Sequence, residues 1–197
     1  METRQRIVLL AVIFLFGSIP VTQSVVEARQ PNVVFFLVDD LGWSDVGCYG
    51  SRFYETPNID RLAAEGVRFT DAYAACHVCS PTRASILTGK YPATLHLTDW
   101  LNGRGNTPFQ VLLNPEKALS LDHEEITIAE VLKASGYVTA LFGKWHLGQD
   151  TNPTEHGFDL HVPHSVNSNL GRRGFYDPRK IPGLDGGDYV TDRLAEL

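Results

Sequence analysis

The sequence predicts an α/β fold with a mainly parallel or mixed central sheet flanked by helices. Short apolar runs rich in β-branched residues alternate along the chain with segments that carry helix-capping residues at their ends. The length of 197 residues allows one or two domains, and a content of 43% hydrophobic and 20% charged residues is ordinary for a globular chain. The net charge of -6 comes without a run of Lys and Arg, which argues against a nucleic-acid partner.

Residues 1–28 have the composition of an export signal. Arg4 and Arg6 precede an apolar run over residues 7–16, and small residues lead to Ala28. The run is shorter than the roughly 20 apolar residues of a membrane-spanning helix. We therefore expect a cleaved signal peptide, a secreted or periplasmic protein and no stable membrane span; an uncleaved anchor is the alternative.

The first predicted element after the signal is a strand at residues 32–38, whose apolar, β-rich sequence is typical of strands buried on both faces. A short helix should follow, with Thr56 as N-cap, Pro57 at its first position and Gly66 after its end. Residues 67–73 could form another extended segment.

Two further helices and a strand are predicted downstream. The next helix should begin with Ser80 as N-cap and end at Gly89. Thr127 and Glu130 have the spacing of a capping box, and Gly136 should stop that helix. A strand at residues 137–142 should follow. From residue 156 the chain is rich in Gly, Pro, Asn and Arg, which indicates long loops, and residues 189–197 resemble the start of a helix, so we expect the chain to be cut short.

Asp39 and Asp40 directly follow the first predicted strand. Adjacent carboxylates at such a position are costly unless a positive group neutralises them. A hard divalent cation ligated by oxygens, such as Ca²⁺ or Mg²⁺, would do so, although Asp-Asp-Leu-Gly is equally good turn chemistry.

Three cysteines cannot all pair. In an exported protein Cys48 and Cys76 could form a disulfide, which leaves Cys79 as the odd thiol. The Cys76-x-x-Cys79 spacing also allows a redox dithiol or a zinc site, but the sequence has no second cysteine pair to complete a Cys-rich zinc site.

Cys79 precedes a predicted helix N-terminus, where free N–H groups and the helix dipole favour an anion. Arg83 could project toward the same end and hold that anion; the alternative is a buried thiol beside a surface arginine. Lys144 and His146 alternate after the last predicted strand and should share one face, where they could bind an anion and transfer a proton. Alternatively, Trp145 packs inward and its neighbours are merely solvated.

Taken together, these residues resemble the sulfatases of the alkaline-phosphatase-like superfamily, and the resemblance covers nearly all of residues 29–197. The runs that carry it are Pro31-Asn32-Val33-Val34 through Asp39-Asp40-Leu41-Gly42, Thr56-Pro57-Asn58-Ile59-Asp60-Arg61-Leu62-Ala63, Cys79-Ser80-Pro81-Thr82-Arg83, Leu87-Thr88-Gly89-Lys90-Tyr91-Pro92, Thr98-Asp99-Trp100 and Gly143-Lys144-Trp145-His146-Leu147-Gly148. The combination is very specific, and it identifies residues 29–197 as the N-terminal part of a sulfatase catalytic domain.

The resemblance implies a sulfuric ester hydrolase in which Cys79 is oxidised after translation to formylglycine by formylglycine-generating machinery. It further implies that Asp39 and Asp40, with residue 79, bind Ca²⁺, or Mg²⁺ in its place, and that Arg83 stabilises residue 79. Lys144 would hold the sulfate and His146 would hydrogen-bond the hydrated aldehyde. The expected substrate is a sulfated small molecule or polysaccharide.

The family carries a further Asp and Asn metal pair and another His and Lys in a later part of the chain. None can be assigned here, so we do not expect these 197 residues alone to form a complete site. A phosphonate or phosphate monoester hydrolase of the same superfamily, or a silent anion-binding protein, is the alternative. His164 and Ser165 lie where such enzymes often contact substrate, but a plain loop role is the simpler expectation.

Overall fold

The computed structural model describes residues 30–148 and 150–163. The predicted signal peptide, His164, Ser165 and residues 189–197 lie outside these ranges. The helices and strands, in chain order, are a 3₁₀ helix at Gly47–Tyr49, α1 at Pro57–Glu65, α2 at Cys79–Thr88, α3 at Ile128–Ala134, β1 at Ala140–Gly143, a 3₁₀ helix at Pro153–His156 and β2 at Leu160–Pro163.

The chain divides into two units, Met1–Val38 and Asp39–Leu197. In the first unit the prediction of a strand at residues 32–38 is wrong, because these residues have no regular secondary structure. Val34 and Phe36 are 75% and 83% exposed. A strand buried on both faces needs backbone partners on either side, and residues 32–38 have none in the described part of the chain. An apolar composition alone therefore does not establish a strand.

In the second unit the predicted helix α1 is confirmed, with Thr56 as N-cap, Pro57 in the first turn and Gly66 as C-cap. The Thr56 hydroxyl does not cap its own helix. It accepts a hydrogen bond from the Gly47 N–H at 2.8 Å and donates one to the Asp60 carboxylate at 3.1 Å. Thr56 therefore ties α1 to the first 3₁₀ helix. Residues 67–73, which the sequence suggested as an extended segment, form no strand.

Helix α2 begins two residues earlier than predicted. Val78 is the N-cap and Cys79 is the first helical residue, so the prediction of Ser80 as N-cap is wrong. The helix ends at Gly89, as predicted, where a φ of 69° requires the left-handed backbone conformation that glycine adopts most readily. The shift places the Cys79 side chain in the first turn of the helix rather than before it.

Helix α3 has the predicted capping box: the Thr127 hydroxyl accepts from the Glu130 N–H, and the Glu130 carboxylate accepts from the Thr127 N–H. Thr127 is fully buried and also donates to the His156 carbonyl at 2.7 Å. Ser135 rather than Gly136 is the C-cap, and Gly136 follows with a φ of 87°. The cap thus joins α3 to the second 3₁₀ helix.

Strands β1 and β2 form a two-stranded parallel sheet with Ala140 opposite Leu160. The predicted strand at residues 137–142 is confirmed in part, but it starts at residue 140. Thr139, before it, is held by Asp159, which accepts from the Thr139 N–H at 2.9 Å and pairs with Lys133 of α3 at 2.6 Å. Parallel strands with flanking helices agree with the predicted α/β class.

The core of the second unit lies between α2, α3 and the segments around residues 95–101, 121 and 145–158. Its largest fully buried apolar side chains belong to Leu97, Leu121 and Leu147. The Leu121 N–H donates to the Leu147 carbonyl at 2.8 Å, which joins the long segment before α3 to the segment after β1. No helix within residues 30–148 or 150–163 is long and apolar enough to cross a membrane.

Candidate active site

Cys79 is a half-buried residue in the first turn of α2, and its Sγ lies 3.2 Å from Nδ1 of His146. The first N–H groups of a helix have no intrahelical acceptor, and the helix dipole is positive at this end. A nucleophile at Cys79 would therefore have a nitrogen base beside it and a backbone that favours developing negative charge.

His146 reaches Cys79 because the chain turns sharply after β1. Its φ of 58° is in the left-handed region, and it is only 6% exposed. The neighbours on either side of it anchor the turn: Trp145 is 2% exposed and donates to the Thr151 hydroxyl at 3.2 Å, and Leu147 is fully buried. The alternative in which the neighbours of Trp145 are merely solvated is wrong, although the inward packing of Trp145 is correct.

Arg83 joins α2 to the segment after β1. Its Nη1 donates to the Lys144 carbonyl at 2.7 Å, and its Nη2 pairs with the Asp39 carboxylate at 3.3 Å. The Lys144 ammonium pairs with the same Asp39 oxygen. One carboxylate is thus shared by two cations, and the cluster of Asp39, Arg83 and Lys144 has a net positive charge beside Cys79.

The pKa values of two site residues are shifted. Burial raises the pKa of Asp39, but the hydrogen bond and charge of Lys144 and the charge of Arg83 outweigh it, so that the pKa falls below its ordinary value. Burial lowers the pKa of His146, the charges of Lys144 and Arg83 lower it further, and the result is about 4. His146 is therefore neutral at physiological pH and can accept a proton.

The described residues alone do not fit a calcium ion. Ca²⁺ takes six to eight oxygen ligands, whereas residues 30–148 and 150–163 contain no group of three or more His, Cys, Asp or Glu side chains placed to hold a metal. Asp39 and Asp40 occupy a turn, and the φ of Asp40 is 58°. Asp39 already pairs with both Lys144 and Arg83. The turn interpretation is thus correct for the local backbone.

All three cysteines are free in this structure, so Cys48 and Cys76, which the sequence allowed to pair, form no disulfide here. Cys48 lies in the first 3₁₀ helix, where its N–H donates to Asp60 at 2.6 Å. The Cys76 thiol instead lies 3.8 Å from Nδ1 of its neighbour His77. A zinc site at the C-x-x-C spacing has no third ligand among the described residues.

Two buried side chains near the site were missed from the sequence. Ser80 is fully buried and its Oγ lies 3.2 Å from His146 Nδ1. His156 is fully buried with both ring nitrogens unpaired in the described part of the chain, and its ring stacks on that of His123 at 5.0 Å. The sequence pointed to Ser80 only as an N-cap and gave no indication of His156. Their contacts could not be found from the spacing, because residues 80 and 146, and residues 123 and 156, are far apart in the chain.

Comparisons with known proteins show the family of the chain. A family model described as Sulfatase matches residues 31–196. The chain is 42% identical over 144 residues to arylsulfatase A of Homo sapiens, which covers 70% of the chain and 26% of that protein. It is 41% identical over 140 residues to human steryl-sulfatase, which covers 67% of the chain and 23% of that protein.

Among solved structures, one described as bound to its substrate D-glucosamine-2-N,6-O-disulfate matches with a TM-score of 0.63 and 32% identity. That match covers 85% of this chain and 30% of the solved chain. The chain spans about a quarter of the length of the curated relatives it matches. Because the family model covers residues 31–196, the chain belongs to the sulfatase family.

Proposed function

We propose that this chain supplies the nucleophile and the anion-binding residues of a sulfuric ester hydrolase of the arylsulfatase type. The observation that carries the proposal is the contact of 3.2 Å between Cys79 Sγ and His146 Nδ1 at the N-terminus of α2. Arg83 and Lys144 lie next to this pair. An anion-binding helix end, a neutral base and two cations around one reactive side chain suit attack on a sulfate ester.

Sulfatases use formylglycine as the nucleophile, and we propose that it is made here from Cys79. The surroundings of Cys79 fit the modification, since the side chain is half-buried and has a hydrogen-bonding nitrogen within reach. A hydrated aldehyde supplies one hydroxyl that attacks sulfur, so that the S–O bond of the ester breaks and the alcohol leaves. Deprotonation of the second hydroxyl then re-forms the aldehyde and expels the sulfate. A serine or cysteine side chain offers no such second hydroxyl.

His146 acts in this proposal as the proton acceptor for residue 79. Its ring is neutral because burial and the charges of Lys144 and Arg83 lower its pKa to about 4. The unprotonated nitrogen is therefore present throughout the neutral and mildly acidic range. Its Nδ1 lies within hydrogen-bonding reach of the side-chain position that reacts.

Arg83 and Lys144 stabilise negative charge at the sulfuryl group. Arg83 is held in place by its bond to the Lys144 carbonyl, so its charge is oriented before substrate arrives. The Lys144 ammonium is bound to Asp39 in this structure. Lys144 is the second cation that would hold the sulfate.

Asp39 and Asp40 would contribute to a site for a hard divalent cation, Ca²⁺ or Mg²⁺, because their donors are carboxylate oxygens. They supply too few oxygens alone, so the remaining ligands must come from elsewhere. A cation at Asp39 would favour the ionised form of a hydroxyl at residue 79 and offset charge on the sulfate oxygens.

The substrate is proposed as a sulfate ester on a small molecule or sugar. One relative is named steryl-sulfatase, and one similar solved structure is a complex with a sulfated glucosamine. These names support sulfate esters as the class and favour neither a sterol nor a sugar. An exported location remains a prediction from residues 1–28.

Turnover of nitrophenyl sulfate against nitrophenyl phosphate tests the proposal, using protein expressed from the complete reading frame together with formylglycine-generating machinery. We expect sulfate release that is abolished in Cys79→Ala, whereas Cys48→Ala, which changes a cysteine outside the site, retains it. Preferential turnover of the phosphate ester would favour the phosphohydrolase alternative. Turnover of neither ester would favour a silent anion-binding protein.

A further inference from the structure

The side chain of Ser80 contacts two other segments of the molecule, and the proposed chemistry gives these contacts no role. Its side chain is fully buried in the first turn of α2. Its Oγ accepts a hydrogen bond from the Leu101 N–H at 3.0 Å and lies 3.2 Å from His146 Nδ1. The hydroxyl therefore links the nucleophile helix to both the residue 98–101 segment and the base.

The direction of the bond to His146 follows from counting donors. A hydroxyl has one hydrogen to donate, and the Ser80 oxygen already accepts the Leu101 hydrogen. Within the described part of the chain, the acceptor in reach of the Ser80 hydrogen is His146 Nδ1. If Nδ1 carried a hydrogen instead, the Ser80 hydrogen would be buried without a partner, which costs about 1–3 kcal/mol.

We propose that Ser80 is a positioning residue that holds His146 in the Nε2–H tautomer, with the Nδ1 lone pair directed at residue 79 and Ser80. The same hydroxyl fixes the Leu101 backbone against α2. The significance of this tautomer for catalysis rests on the proposed function, because only an unprotonated Nδ1 can accept a proton from residue 79. The arrangement itself does not depend on that function.

The residues just before Leu101 are also held in place. The Lys117 ammonium donates to the Trp100 carbonyl at 2.6 Å and pairs with Asp99 at 3.5 Å, so the segment is held from both sides. Leu101 itself is 4% exposed in the core. Ser80 thus connects a rigid segment to the His146 ring, and its loss should loosen both at once.

Nitrogen-15 NMR of histidine-labelled chain tests the proposal directly, with the His146 signals assigned by comparison with His146→Asn. The wild-type ring should be the Nε2–H tautomer. In Ser80→Ala the ratio of tautomers should shift about fivefold toward Nδ1–H, and the Leu101 amide should exchange about fivefold faster, because one hydrogen bond of ordinary net strength is lost at each. Ser80→Thr, which keeps the hydroxyl, should restore both.

Ser85→Ala is the matched control, since Ser85 lies on the same helix with a buried hydroxyl that has no hydrogen-bond partner in the described residues. It should change neither signal. A wild-type ring in the Nδ1–H form, or a Ser80→Ala spectrum and Leu101 exchange rate equal to those of wild type, would overturn the inference.

The inference about the His146 tautomer and the proposed enzyme activity can be refuted separately. The NMR result expected above, together with no turnover of nitrophenyl sulfate by the complete protein, would refute the proposed function and leave the role of Ser80 intact. Sulfate release with a wild-type Nδ1–H ring would refute this inference alone. In an active enzyme, Ser80→Ala should lower kcat with little change in KM, since Ser80 does not touch substrate.

Discussion

Replacing Arg83 by alanine should lower the unfolding free energy of the protein more than replacing an arginine on the surface does. The guanidinium is only 12% exposed and bridges two segments, since it donates to the Lys144 carbonyl at 2.7 Å and to the Asp39 carboxylate at 3.3 Å. Removing it leaves the Lys144 carbonyl without its charged donor and leaves Asp39 with one cation instead of two.

The two contacts of Arg83 differ in strength. A hydrogen bond from a charged donor to a partly buried carbonyl contributes about 1.5–3 kcal/mol. The Asp39 carboxylate is 34% exposed and shared with Lys144, so its pairing with Arg83 adds at most about 0.5 kcal/mol. We expect Arg83→Ala to cost about 2–3 kcal/mol of unfolding free energy.

Urea unfolding followed by tryptophan fluorescence measures this cost, because Trp145 is buried next to the Arg83 contact. The midpoint should fall with an unchanged m value. Arg83→Lys should recover only part of the loss, since an ammonium lacks the two-pronged geometry of a guanidinium. Arg61→Ala, on the exposed surface of α1, is the control. Equal midpoints for the Arg83 and Arg61 variants would refute the reasoning.

Three further outcomes are expected. Thr127→Ala should lower the unfolding free energy measured in urea by about 2 kcal/mol, because the cap of α3 is lost and the buried carbonyl of residue 156 loses its donor. The control Thr154→Ala, at an exposed position, should lower it little, and equal losses in the two variants would contradict the role of the cap. Burial and then the charge of His123 lower the pKa of His156, so the stability that the neutral ring contributes is present above the unfolded pKa of 6.5 and is lost as the pH falls below it. The unfolding free energy of His156→Leu should therefore fall less than that of wild type between about pH 7 and about pH 5. An equal fall in both proteins would argue against a buried neutral ring. Lys144→Met should raise the pKa of Asp39 in a carbon-13 titration because the largest lowering influence is removed, and an unchanged pKa would show that the pair does not form in solution.

Local capping chemistry was predictable from the sequence where the signal lay within a few residues. Thr127 and Glu130 formed the expected capping box, Gly89 ended α2, and Pro57 opened α1. Each depends on backbone groups three or four positions away, so the spacing contains the whole interaction. The family motif that contains Cys79 was recognisable for the same reason, because its residues form one contiguous run.

Features that depend on distant partners were not predictable. Residues 32–38 have a strand-like composition but no strand, because pairing depends on neighbours that composition does not specify. Ser80 was taken for a cap, and the bond that matters joins it to a residue 66 positions away. Asp39 pairs with Arg83 and Lys144 in this structure, and its position after residues 32–38 predicted neither partner. In each case the tertiary partner decided the role.

The central claim is that residue 79 is converted to formylglycine, and mass spectrometry of its peptide tests that claim most directly. The chain is expressed with formylglycine-generating machinery, digested and compared with Cys79→Ala and with chain made without the machinery. The account predicts an aldehyde at residue 79 that an aldehyde-reactive hydrazide labels, with Cys48 and Cys76 still alkylated as thiols. A peptide in which Cys79 remains an alkylatable thiol while a known sulfatase is converted in the same cells would contradict it.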